Sequence, residues 1–287
     1  AMLFRFLVAN MLKTQAQDAV RNKVEEIVTD QVRNLEEMKQ GREMPPCDVA
    51  IVFANHLEAT GVVDQMEAVV STQCVSFVEH AGRWRGRDVV VIEAGDTWRQ
   101  VAKAVTDLIN MHQPNWVVSA GFASSLCTEI RKGTIVMPGI IRDVKGRRLE
   151  VGLQLASDSR QRGLYTGDLV STPELLETPS KRKKLAEESS AQVADMESAV
   201  VAEICRPAKQ RCLAVRVVAE AFDEKPPELM SRILKQGTAA GKLGALSKGL
   251  FTQASQLKEM WDLKNEAYKT SERLADFLAG VVRQLRL

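Results

Sequence analysis

Apolar residues along this chain keep two rhythms. Unbroken apolar runs occur within 48–54 (Asp-Val-Ala-Ile-Val-Phe-Ala), 88–93, 116–119 and 212–218, the pattern of strands buried on both faces of a sheet. Weaker strand-like runs lie at 75–79, 133–137 and 163–170, with a Gly-Arg-Trp-Arg-Gly turn at 82–86. Between the runs the apolar period lengthens to that of a helix, from Glu58 onward, over 97–111 and over 196–204. In the last of these Met196, Ala199, Val200 and Ile204 fall at helical spacing and Pro207 marks the end. Thr172-Pro173-Glu174 carries the usual signal for one more helix start. Short apolar strands alternating with helices of about a dozen residues predict the α/β class.

The two ends differ from this middle. Residues 8–39 predict one long amphipathic helix with Val20, Val24, Ile27, Val28, Val32 and Leu35 along one face, ended by Gly41 and Pro45-Pro46. Residues 237–249, rich in Gly, Ala and Lys, predict a loose connector to a second helical stretch at 253–285, apolar at Leu257, Met260, Trp261, Leu263, Leu274, Phe277, Leu278 and Val281. Such faces need a cover, either each other or a second subunit, so a homo-oligomer is expected. The chain divides on this reading into a helical extension at 1–46, an α/β domain at 47–227 and a helical extension at 228–287.

Composition narrows the partners. The 39 basic and 37 acidic residues leave a net charge of +2, dispersed rather than patched, so no nucleic-acid footprint is expected. The apolar stretch at 3–12 is short and holds Arg5, which predicts neither a membrane span nor a signal peptide. Cys47, Cys74, Cys127, Cys205 and Cys212 are odd in number and lack metal-type spacing, as expected of reduced thiols in a cytoplasmic protein. His56, His80 and His112 form no ligand pattern, and no metal is expected.

Candidate chemistry gathers at strand ends. Glu58 follows the first strand, Ala94-Gly95 the next, Ala120 to Ser124 the third and Ala219-Glu220 the last, with Asp223 and Glu224 behind; Asp195 and Glu197 open the helix before it. Small residues admit backbone amides close to a ligand, and carboxylates accept from sugar hydroxyls or move protons. In open α/β sheets the crevice outside the strand ends is where ligands bind. The residues alone allow an equal alternative for Asp195 and Glu197, the capping of helix amides.

Asp195-Met196-Glu197-Ser198, followed one helix later by Leu-Ala-Val-Arg-Val-Val-Ala-Glu at 213–220, resembles the signature of the nucleoside phosphorylase and methylthioadenosine/S-adenosylhomocysteine nucleosidase superfamily. The resemblance covers roughly 47–227. Ala-Asn-His-Leu-Glu at 54–58 is similar to the nucleosidase Ala-Met-Glu-Glu-Glu; the block 116–126, the Arg-Lys-Gly-Thr-Ile-Val-Met at 131–137 and Gly167-Asp168 resemble further blocks in the same order. The tail is most similar to a phosphorylase-like branch that includes the hopanoid-pathway type.

The resemblance implies a three-layer α/β/α sandwich around a mixed sheet, acting on the N-glycosidic bond of a purine nucleoside or adenosyl compound, with no cofactor beyond inorganic phosphate as a co-substrate. It implies that Glu197 accepts from ribose hydroxyls, with Met196 and Asp195 beside the sugar. Ala123 and Ser124 offer backbone groups to the base, Phe122 an aromatic wall, and Val170 a further contact. Ala94 and Gly95 lie near the nucleophile, and Glu58 handles the attacking water. Glu220 takes the place of the purine-protonating Asp, and Arg99 is a weaker candidate for phosphate. Two departures leave a second reading open. Glu220 and Ala219 stand where the family has Asp and Ser, and an acid displaced by about an ångström can cost about 10²-fold in rate. The alternative is a catalytically impaired nucleoside-binding or scaffolding protein of the same fold.

Overall fold

A computed structural model describes residues 46–151, 163–225 and 254–287. The expected helix at 8–39 and the connector at 237–249 lie outside the described residues. Twelve strands form one mixed sheet. In chain order the elements are β1 (Val49–Phe53), α1 (His56–Val63), β2 (Glu67–Gln73), β3 (Val78–Trp84), β4 (Arg87–Glu93), α2 (Trp98–His112), β5 (Trp116–Ser125), β6 (Ile135–Val136), β7 (Ile140–Asp143), β8 (Arg148–Glu150), β9 (Leu164–Tyr165), β10 (Leu169–Ser171), α3 (Pro179–Ser189), β11 (Val193–Asp195), α4 (Ser198–Cys205), β12 (Cys212–Glu220) and α5 (Ala254–Gln284).

The two faces of the sheet follow from the period of two. Val49, Ile51 and Phe53 of β1 join a core with Val118, Ala120 and Phe122 of β5, Leu57 and Val62 of α1, and Leu274, Leu278 and Val282 of α5. Ala50 and Val52 face the other way, onto Val101, Ala104, Val105 and Leu108 of α2 and Val200 and Val201 of α4. Helices therefore cover both faces, and the expected α/β/α sandwich is the architecture observed.

The C-terminal helix is part of the core. Its buried side is Ala267, Ser271, Leu274, Ala275, Leu278, Ala279, Val282 and Leu285, whereas Trp261, expected on the apolar face, is 63% exposed. Close packing on α1 rests on Gly61, where a Cβ would lie 2.5 Å from the Ser271 carbonyl oxygen. The Ser271 hydroxyl accepts from the Gly61 amide at 2.9 Å and donates to the Glu58 carbonyl at 2.9 Å.

Other expectations moved. The small-residue stretch at 120–125, expected at the end of a strand, is the second half of β5. The strand expected over 163–170 is two short strands, β9 and β10. No helix starts at Thr172; α3 uses the same Thr-Pro signal later, with Thr178 as N-cap accepting from Lys181 and Pro179 in the first turn.

Candidate active site

β5 is the strand on which the site depends. Along one edge β12 runs parallel to it over nearly its whole length. On the other edge β1 pairs in parallel with residues Trp116 to Ser119 only, and β11 pairs antiparallel with Ser124 and Ser125. Between these two neighbours, residues 120–123 of β5 have no strand beside them on that edge among the described residues. The sheet changes direction across this gap, the kind of switch point at which α/β proteins admit ligands.

Glu58 occupies the gap. Asn55 caps α1, accepting from the Glu58 amide, and one turn of helix returns the Glu58 carboxylate to the end of β1. Its Oε1 accepts from the Phe122 amide at 2.8 Å, and its Oε2 lies 3.4 Å from the Ala54 amide. A buried carboxylate thus takes the place of the absent strand. Ala94 and Gly95 border the same end: the Ala94 amide donates to the Phe53 carbonyl at 2.8 Å and the Gly95 amide to the Ala54 carbonyl at 2.9 Å. Gly95 has φ +94°, and a Cβ there would meet Gln100 at 2.9 Å, so glycine is required on two counts.

Glu220 reaches the same stretch from the other edge. The pairing of β12 with β5 shifts between Val218 and Glu220, leaving Ala219 as the extra residue of a bulge, and bulges re-aim the side chains that follow them. The half-buried Glu220 then accepts from the Ser124 hydroxyl at 2.6 Å. Burial pushes its carboxyl up, while the Ser124 hydrogen bond and the Arg182 guanidinium push it down. Arg182 itself is buried and donates to the carbonyls of Leu176 (2.8 Å), Phe222 (2.9 Å) and Glu224, fixing the loop that follows β12.

Asp195 and Glu197, two residues apart, separate in role. Asp195 is fully buried and accepts from Arg216 Nε and Nη2 at 2.8 and 2.7 Å, from the Ser198 amide at 3.0 Å, and from the hydroxyls of Ser198 and Ser171. The carboxylate is saturated by protein donors, so the expected sugar contact is corrected to a structural hub that starts α4 and ties β11 to β12. Glu197, 5% exposed, sits at the N-cap position of α4, yet its side chain caps no amide. The capping alternative therefore holds for Asp195 and fails for Glu197. Met196 is half-buried beside it, and its carbonyl accepts from the Trp98 indole, which links this loop to the start of α2.

Three further candidates stand elsewhere. Phe122, 2% exposed, packs in the core with Ile135, Met137 and the α1–α5 layer, so its ring is no wall for a base. Val170 is buried with Leu126, Leu176 and Ala194 and lines a cleft of about 340 Å³ between β7, β10 and α3, with Arg142, Thr172 and Lys181. Arg99 is exposed in the first turn of α2. Ala123 and Ser124 lie on β5 as expected, within the stretch flanked by Glu58 and Glu220.

Sequence reasoning missed Arg216, Arg182 and Trp98. The signal for the first was legible: one arginine inside the apolar run of β12 requires a buried acid. It also missed that two histidines converge. Glu93 Oε1 lies 2.9 Å from His56 Nδ1 and 2.9 Å from His80 Nε2, so the expectation that the histidines form no pattern is corrected. Burial opposes ionisation of Glu93, but these two bonds outweigh it and lower its carboxyl to about 2; the same contact raises His56.

No protein-family model and no curated relative matches this chain. Solved structures do. An S-adenosylhomocysteine nucleosidase from Streptococcus pyogenes, in complex with 5-methylthiotubericidin, superposes with a TM-score of 0.63 at 13% identity, over 84% of this chain and 98% of its own. A Helicobacter pylori methylthioadenosine/S-adenosylhomocysteine nucleosidase mutant with 5'-methylthioadenosine in its active site gives 0.64 at 16% identity, over 83% and 99%. A futalosine hydrolase mutant of Helicobacter pylori gives 0.63 at 15%, over 84% and 100%. The fold is that of the nucleosidases. These three structures are matched almost end to end. Among the described residues no helix is long and apolar enough to cross a membrane.

Proposed function

We propose that this protein cleaves the N-glycosidic bond of a purine nucleoside or related adenosyl compound, with water as the acceptor. The observation that carries the reading is the grouping of three buried or half-buried glutamates around the open stretch of β5: Glu58 on the Phe122 amide, Glu220 on the Ser124 hydroxyl, and Glu197 just past β11, whose Ala194 pairs with Ser124.

Breaking this bond develops positive charge on the sugar and negative charge on the departing base. Glu58 and Glu197 are suited to the sugar side. Glu197 accepts from neighbouring ribose hydroxyls, and Glu58 orients and deprotonates the water while its charge stabilises the oxocarbenium-like centre. Glu220 is suited to the base side, where a carboxyl gives its proton to the leaving nitrogen while Glu58 takes one from the attacking water. Hydrolysis is favoured over phosphorolysis because, among the described residues, the buried Arg182 and Arg216 are engaged by protein acceptors and Arg99 is exposed. The nucleosidases and hydrolase of similar fold agree with this direction.

The test is release of free base from a panel of purine nucleosides, including 5'-methylthioadenosine and S-adenosylhomocysteine, with and without phosphate. The expected outcome is release that phosphate does not accelerate and that Glu58→Gln removes. Tight nucleoside binding without release from any member identifies the binding-protein alternative instead.

A further inference from the structure

We propose that His56, His80 and Glu93 form a binding site for a divalent transition cation of the zinc type. Three elements bring the donors together. His56 is the first residue of α1, His80 lies on β3 and Glu93 ends β4. In the β3–β4 pairing His80 stands opposite Val91, so Glu93, two residues on, shares its face of the sheet. The alternation that sends His80 to this face sends Glu79 to the other, where it pairs with His112 at 2.8 Å.

The donor atoms of the three residues all lie within 4.8 Å of one another, with the carboxylate oxygen 2.9 Å from each nitrogen. Ligands at about 2.0–2.1 Å around a tetrahedral zinc stand about 3.3 Å apart, so the two oxygen–nitrogen contacts need open by only a few tenths of an ångström, and rotation of the exposed His56 side chain brings its nitrogen to the same spacing from His80. Two imidazoles and one carboxylate are a donor set this ion takes readily, with the fourth position left to water. His56, 54% exposed, faces solvent, while His80 and Glu93 are 8% and 14% exposed. An ion therefore has access, and the inner ligands are fixed.

The outer contacts are those a ligating histidine needs. His80 Nδ1 lies 2.8 Å from the Ser71 hydroxyl. When Nε2 gives its lone pair to the metal, the ring proton sits on Nδ1 and donates to Ser71, an arrangement that fixes tautomer and ring plane. On His56 the ligating atom is Nδ1, which leaves its proton on Nε2. The Glu93 carboxylate offsets the positive end of α1, from which His56 projects. A bound ion joins the turn after β1 to the end of β4, one residue before Ala94 and Gly95, and so clamps one border of the β5 gap.

The experiment is calorimetric titration of the chelator-stripped full chain with zinc alone, repeated with His56→Ala, Glu93→Gln and Ser71→Ala. One equivalent of zinc is expected, with affinity lowered at least about 100-fold in the first two variants and about 10–100-fold in Ser71→Ala. Cobalt in place of zinc should show visible bands of a tetrahedral nitrogen–oxygen site that vanish in His56→Ala. His56 is exposed, so this variant keeps its fold and a comparison remains if Glu93→Gln does not. Absence of zinc binding, or binding of unchanged affinity in His56→Ala, overturns the proposal.

Discussion

Asp195 and Glu58 are both fully buried carboxylates on the borders of β5, yet their surroundings differ. Asp195 has a guanidinium, two hydroxyls and an amide around it, and is closed to anything else. Glu58 accepts from the Phe122 amide, with the Ala54 amide at the limit of hydrogen-bond distance, at a stretch of β5 that no described strand pairs on that edge. The first arrangement satisfies the charge with protein alone, as a buried ion pair must. The second borders the place where the sheet changes direction, between the pairings of β1 and β11 with β5. Acidity was visible in the sequence for both; the arginine and the serine that saturate Asp195 arrive from other strands.

Four substitutions break or sharpen that contrast. The largest effect is expected from Glu58→Gln, with base release lowered about 10²–10⁴-fold, the range for loss of a general base, while the melting temperature changes little. Loss of the fold instead would make Glu58 a second hub. Next comes Arg216→Met, which leaves Asp195 charged and without its cation at a cost of about 3–5 kcal/mol of stability, read by denaturant unfolding. A change within 0.5 kcal/mol would mean that the serines and the Ser198 amide suffice for Asp195.

Glu197→Gln is expected to weaken nucleoside affinity by about 1.5–3 kcal/mol with unchanged unfolding, since half its acceptor capacity becomes donor. Calorimetric binding and a melt on the same sample separate this from a structural role. Gly61→Ala is the smallest, about 1–3 kcal/mol of stability, because the new methyl meets the α5 backbone rather than a movable side chain. A melting temperature equal to wild type would show that α5 is free to shift on α1.

Much of the fold was legible because central strands carry continuous apolar runs: β1, β4, β5 and β12 were all visible. β2 was not, since it is an edge strand exposed at nearly every position, Val70 included at 65%, and shows no apolar pattern. The helix of α5 was visible, but not the face it buries, because small residues (Ala267, Ser271, Ala275 and Ala279) make the close contact and carry little hydrophobic signal. In the site, Glu58, Glu197 and Glu220 were legible through motif order. The saturation of Asp195 was not, because it depends on Arg216 and Ser171 arriving from other strands. Nor was the turning of Phe122 into the core, which follows from the alternation of β5 continuing past the strand end expected at Ser119. The grouping of His56, His80 and Glu93 needs the β3–β4 pairing, which no local spacing announces.

The central claim is that the open stretch of β5, and not the cleft between β7, β10 and α3, is where a nucleoside is bound and cut. A crystal structure with a non-cleavable 5'-methylthioadenosine analogue tests it most directly. The account predicts ribose hydroxyls within hydrogen-bond distance of Glu197, the base beside Ala123, Ser124 and Glu220, and Glu58 facing the anomeric carbon. An analogue lodged against Val170, Arg142 and Lys181, or one whose ribose has no contact with Glu197, would contradict it.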